Sequence, residues 1–176
     1  MDGKIDFGLM ALFDPSEIDE RLVFEALVIG QCMVCVGKNS PLASKASVSL
    51  QELIGYPVVT FSDEYKMKTF ALNFLKNYGK PKLLITSGNS EGAKKFISQS
   101  VAIGFYSDIS LKTDPYVLSG EIVPLQINNP QTYCYFGILY RRDANLSIPS
   151  MEFLHELRVQ AKEFCRVHRI PEPHNG

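Results

Sequence analysis

Residues 31–61, QCMVCVGKNSPLASKASVSLQELIGYPVVTF, read as strand, turn, short helix, strand. Gln31 to Val36 is a short apolar run rich in Val and Cys, bounded by Gly37 and the polar Lys38-Asn39-Ser40, as a buried strand leaving a sheet should be. Pro41 forces an extended turn, because its ring fixes its own φ and restricts the residue before it. Ser49 and Glu52 have the spacing of a capping box, in which the Ser49 hydroxyl accepts from the Glu52 N–H and the Glu52 carboxylate answers the Ser49 N–H. One helical turn, Leu50 to Ile54, follows from that. Gly55 ends it, Pro57 cannot continue it, and Val58-Val59-Thr60-Phe61 is a second buried strand.

Upstream, Ile5 to Ala11 predicts a strand, followed by an acidic loop in which Asp14, Glu17, Asp19 and Glu20 gather around Pro15 and Ser16. That loop lacks the alternating acids and central Gly of an EF-hand, so it reads as a solvated charge run. Leu22 to Val36 is long and apolar but interrupted by Gly30, which predicts two consecutive strand segments. Downstream, Ser62 or Asp63 can cap a helix whose Met67, Phe70, Ala71, Phe74, Leu75 and Tyr78 share one face. Gly79 and Pro81 stop it. Lys82 to Thr86 predicts a strand, and Ser87-Gly88-Asn89-Ser90 a polar turn that caps a helix from Glu91 to Ser100. Strand, polar turn and helix make the βα unit of an open sheet. Val101 to Tyr106, Ile122 to Ile127 and Tyr133 to Tyr140 predict further strands, with Asn128-Asn129-Pro130 breaking the pattern before the last. A final helix, about Ser150 to Cys165, sets Phe153, Leu154, Leu157, Ala161 and Phe164 on one stripe. Pro171 and Pro173 mark a tail.

A chain of 176 residues, 45% of them hydrophobic, can bury enough surface for one domain or two small lobes. Its formal net charge of -1 gives no electrostatic case for binding nucleic acid directly. No apolar run approaches the ~20 residues of a membrane span, and Met1-Asp2-Gly3 opens onto a strand without signal-peptide character, so a cytoplasmic protein is expected. The cysteines are expected to be buried thiols. Cys32 and Cys35 form C-x-x-C, but residues three apart on a strand face opposite ways, which spoils a shared metal or redox site. No metal or cofactor is expected.

Catalysis is not expected either. His155, His168 and His174 all fall on the final helix or tail, away from the polar turns, and no G-x-S-x-G, P-loop, G-x-G-x-x-G or H-E-x-x-H occurs. Lys94-Lys95 and Arg141-Arg142 read as solvated faces rather than phosphate clamps. What remains are two turns that deliver strands to helix N-termini, Thr60-Phe61-Ser62 and Ser87-Gly88-Asn89-Ser90. Their N–H groups and hydroxyls suit a small anion or carboxylate. Simple helix capping is the competing use of the same residues.

Taken in order, these segments resemble the effector-binding domain of LysR-type transcriptional regulators. The family's His-Pro-Leu-Ala turn is here Ser40-Pro41-Leu42-Ala43, and its "val-ser-leu-x-acid-leu" helix begins at Val48-Ser49-Leu50. Gly3-Lys4-Ile5-Asp6-Phe7-Gly8-Leu9 is similar to its "gly-x-leu-asp-leu-gly-ile" strand, and Ile103-Gly104-Phe105-Tyr106 stands in the place of its late Gly-rich strand. The resemblance runs from Gly3 to about Phe164. It implies an α/β, two-lobe, periplasmic-binding-protein-like (type 2) fold with hinge-crossing strands. The first lobe would be 1–36 with 137–170, the second 37–136, and the tail 171–176. It further implies an effector held by Met10 and Ala11 of one lobe and by Thr60, Phe61, Ser62, Ser87, Gly88, Asn89 and Ser90 of the other. DNA contact would come only through a winged helix-turn-helix that this chain lacks. The start of the family's first lobe is also not seen here, so that lobe is expected to be incomplete and its open sheet edge to favour self-association. The competing readings are a stand-alone solute-binding protein of the same fold and a small enzyme built on it.

Overall fold

The computed structural model describes residues 5–61, 66–129, 132–171 and 173. Its strands are β1 (Phe7–Leu12), β2 (Leu22–Gly37), β3 (Ser47–Val48), β4 (Pro57–Phe61), β5 (Lys82–Ser87), β6 (Gly104–Ser107), β7 (Ile122–Ile127) and β8 (Tyr133–Arg141). The helices are α1 (Leu50–Leu53), α2 (Lys66–Lys76), α3 (Ser90–Ser98), α4 (Asp108–Leu111), α5 (Pro115–Leu118) and α6 (Ile148–His168). The chain divides into two compact units, Met1–Gly30 with Tyr133–Gly176, and Gln31–Thr132.

The first unit is a short sheet with one long helix. β1 lies antiparallel to β8, with Phe7 opposite Tyr140 and Leu12 opposite Tyr135, and β8 lies between β1 and β2. At Gly137, β8 runs close against β2. A Cβ there would sit 2.1 Å from the Glu25 carbonyl oxygen, so only glycine fits. α6 is fastened to β2 by the Arg158 guanidinium, which donates twice to Glu25 at 2.7 Å, and by the Cys165 thiol on the Leu27 carbonyl at 3.9 Å. The Phe7 and Phe153 rings stack at 5.7 Å. Two details differ from the sequence reading. α6 starts at Ile148, earlier than Ser150, because Ser147 caps it and the Asp6 carboxylate accepts from the Ser147 and Ser150 hydroxyls. Along its expected apolar stripe Leu154 is buried, but Phe153 remains 53% exposed and Cys165 is the other buried position.

Gly30 does not break the strand. β2 runs unbroken from Leu22 to Gly37 through the glycine, and beyond it pairs with β6 from Cys32 and with β7 from Met33.

In the second unit, β2 pairs antiparallel with β6 at Cys32–Cys35 and with β7 at Met33–Gly37, and β3 joins β7 in parallel. β4 and β5 form a parallel pair, bridged to Ile103 just ahead of β6 by Val59 N–H to the Ile103 carbonyl (2.9 Å) and Ile103 N–H to the Pro57 carbonyl (2.8 Å). Alternation along the strands then builds two cores. Cys32, Val34, Val58, Ile103, Phe105 and Leu125 pack with Leu50 and Leu53 of α1 and Ala71 and Leu75 of α2. Cys35, Val59, Ala102, Tyr106 and Ile122 pack with Ala93 and Ile97 of α3 and Leu111 of α4. Cys32 and Cys35 therefore lie in different cores. Burial pushes the Cys35 thiol well above its ordinary range, which leaves it protonated and inert.

The capping box at Ser49 and Glu52 forms as the spacing predicts, with Ser49 N–H to Glu52 Oε2 at 2.9 Å and Glu52 N–H to Ser49 Oγ at 3.3 Å. The expected cap of α2, Ser62 or Asp63, lies outside the described residues. Short elements that were not anticipated include β3, α4, α5 and a 3-10 turn at Pro15–Glu17. Their signals are local, with Ser107 accepting from the Ile109 N–H and Asp114, followed by Pro115, accepting from the Tyr116 and Val117 N–H groups.

Candidate functional site

β4 and β5 run parallel and end side by side, with Thr60 opposite Thr86 and Phe61 opposite Ser87, and the carboxyl ends of parallel strands are where open α/β sheets receive ligands. Thr60, Phe61, Ser87, Gly88, Asn89 and Ser90 are thereby brought together at one end of the second unit. Ser62 lies outside the described residues. Met10 and Ala11 belong to β1 of the first unit, opposite Gly137 and Phe136 of β8.

The groups at these strand ends differ in what they have left to offer. Thr60 is buried, and its hydroxyl stands 3.5 Å from that of Thr86. The Ser87 hydroxyl is committed to Asn89, donating to its carbonyl at 2.7 Å and accepting from its N–H at 3.3 Å. The Asn89 side chain caps α3 by accepting from the Gly92 N–H at 2.7 Å. The N–H groups of Ser90 and Glu91, the first two of α3, precede any intrahelical acceptor and are the donors the turn presents. Beneath them, burial pushes the Tyr106 phenol well above its usual range, a shift that hydrogen bonding with Ser90 only partly offsets.

A residue that sequence reasoning misplaced lies next to this turn. Lys94 is not on a solvated face. Its side chain is 12% exposed, and its ammonium is clamped between Glu91 at 2.9 Å and the Asp114 carboxylate, which is itself 3% exposed. Burial pulls the Lys94 ammonium down, but hydrogen bonds to Asp114 and Glu91 outweigh it and leave the net shift upward. The i, i+3 spacing of Glu91 and Lys94 was readable, whereas Asp114 comes from a distant segment that only the fold delivers. Arg141, by contrast, is an exposed residue paired with its near neighbour Asp143, as a solvated face should be. Among the described residues no helix is long and apolar enough to cross a membrane.

The LysR substrate binding domain model matches residues 1–162. The chain belongs to that family. Solved structures agree on the fold. The regulatory domain of CcmR from Synechocystis PCC6803, in complex with 2-PG, superposes with a TM-score of 0.77 at 19% identity, over 90% of this chain and 74% of that one. The effector binding domain of QuiR, in complex with shikimate, gives 0.72 at 20% identity over 91% of this chain and 73% of that one. The PA01 protein from Pseudomonas aeruginosa gives 0.69 at 17% identity over 91% of this chain, which spans only 55% of the longer PA01 chain. The LysR substrate binding domain seen here thus has the type 2 periplasmic-binding-protein-like α/β fold.

Proposed function

We propose that this LysR substrate binding domain senses a small-molecule effector and passes its occupancy to transcription through a winged helix-turn-helix that is not part of the sequence described here. The family match over residues 1–162 carries the reading. The protein acts as a cytoplasmic sensor rather than an enzyme. Its ligand is a small anion or carboxylate, received at Thr60, Phe61, Ser62 and Ser87–Ser90 of the second unit. The 2-PG and shikimate held by two structural neighbours are acids of this size class. Neutral donors at a helix N-terminus suit such a charge, with backbone N–H groups of Ser90 and Glu91 doing most of the work.

Titration calorimetry with 2-PG, shikimate and a panel of small carboxylates tests the reading. Saturable binding without turnover is expected. Thr60→Val removes one of the two paired hydroxyls at the strand ends and should weaken binding by about 1 kcal/mol. Turnover of any bound compound, or indifference to every acid tested, would count against a sensor of this class.

Self-association is part of the same proposal. β1 pairs only with β8 and β5 only with β4 among the described residues, and Leu83, Leu84 and Ile85 of β5 are all exposed. An open apolar edge is a template for another strand. Light scattering should show the weight-average mass rising with concentration, and a strict monomer throughout would refute this part.

A further inference from the structure

The Asp114 carboxylate serves two elements at once. Its Oδ1 accepts from the Tyr116 and Val117 N–H groups at 3.0 and 3.4 Å and so caps α5, while its Oδ2 receives the Lys94 ammonium. Lys94 sits one turn into α3 and also holds Glu91, two residues beyond the Asn89 cap. α3 is thus tied at its first turn to the start of α5, through charges that are nearly out of water. Such a pair is stiff, because separating it would leave a charged group buried without its partner.

We propose that Lys94 is a positioning residue: clamped between Glu91 and Asp114, it fixes the first turn of α3, and with it the Asn89–Ser90 turn, against the 108–118 segment. The inference rests on the proposed function only for its claim that this turn meets the effector. The geometric claim stands apart from any ligand, and the experiment separates the two.

Native-state amide exchange of the protein without ligand reads the geometry. In Lys94→Met the Gly92 and Ala93 amides, which bond back to Asn89, should exchange at least about tenfold faster, as local opening no longer has to break the pair. The Glu52 amide, capped by Ser49 away from the clamp, should keep its protection and so serve as a control outside α3. Lys94→Arg should restore most of the protection, and Lys95→Met, at an exposed neighbour, should change nothing. Should Lys94→Met prove too unstable, Lys94→Met with Asp114→Asn removes both buried charges together and is read in the same way. Equal acceleration at Gly92, Ala93 and Glu52, or none anywhere, would overturn the positioning role. The second arm titrates 2-PG and shikimate into the wild-type protein and follows the Ser90 and Glu91 amide shifts. Shifts there that weaken in Lys94→Met, but persist in Lys95→Met, support the ligand half. Absence of shifts in the wild type would overturn that half alone.

Discussion

Ser100 occupies a position that its backbone assigns to glycine. It follows the last turn of α3 with φ of 58°, its N–H bonds the Ile97 carbonyl at 2.8 Å, and the Val101 N–H bonds the Phe96 carbonyl at 3.1 Å, the two bonds of a Schellman ending. The left-handed conformation costs roughly 1–2 kcal/mol for a residue with a Cβ, and the Ser100 hydroxyl is also buried without a partner. Glycine's greater freedom in the unfolded chain offsets about 0.5–1 kcal/mol of this. Ser100→Gly should therefore stabilise the protein by about 1 kcal/mol, read as a higher midpoint in urea with an unchanged slope. At the other residue of note, hydrogen bonding from the Lys45 ammonium, together with the N–H and hydroxyl of Ser49, holds the Glu52 carboxyl down at about 2. A depressed carboxyl contributes stability above its unfolded value, about 4.3, and loses that contribution as pH falls toward 2. An NMR titration should find the Glu52 midpoint near 2, and Lys45→Met should move it upward.

Among the elements, β8 and α6 carry the first unit, and each has one contact that tolerates little change. Gly137→Ala places a methyl group against the Glu25 carbonyl and the Phe24 ring, both under 3 Å away, in backbone that cannot step aside. Overpacking of this kind costs about 1–3 kcal/mol or more, and the calorimetric melting temperature should fall accordingly. Leu154 is the buried anchor of α6, so Leu154→Ala should cost about 2–5 kcal/mol, whereas Phe153→Ala, at a half-exposed ring, should cost clearly less. Similar losses from both variants would mean that the Phe7–Phe153 stack matters more than its exposure indicates.

At the scale of the molecule, stability should be uneven. The second unit has two cores on opposite faces of its strands, while the first rests on a few buried side chains under one helix. Native-state hydrogen exchange should accordingly protect Val58 to Tyr106 more strongly than Phe7 to Leu9, since amides in a doubly covered sheet exchange only through large openings. Equal or reversed protection would show the first unit to be as cooperative as the second.

The sequence by itself determined what short-range chemistry can encode. The capping box at Ser49 and Glu52, the strand runs at Val58 and Ile122, the Asn89 turn before α3, and the ordered motifs that resemble a LysR effector domain were all legible, because each depends on residues within a few positions of one another. Tertiary structure alone decided the rest. β2 is continuous through Gly30, and its far half pairs with strands from 104 and 122, partners that periodicity cannot see so far away. α3 ends on a serine in a glycine's conformation, so the usual stop signal was missing. Lys94 looked like half of a solvated lysine pair until the fold brought a buried carboxylate from 20 residues downstream against it. Charge in a sequence gives no sign of its depth. Whether a lysine faces water or a buried aspartate is set by which distant segment packs over it.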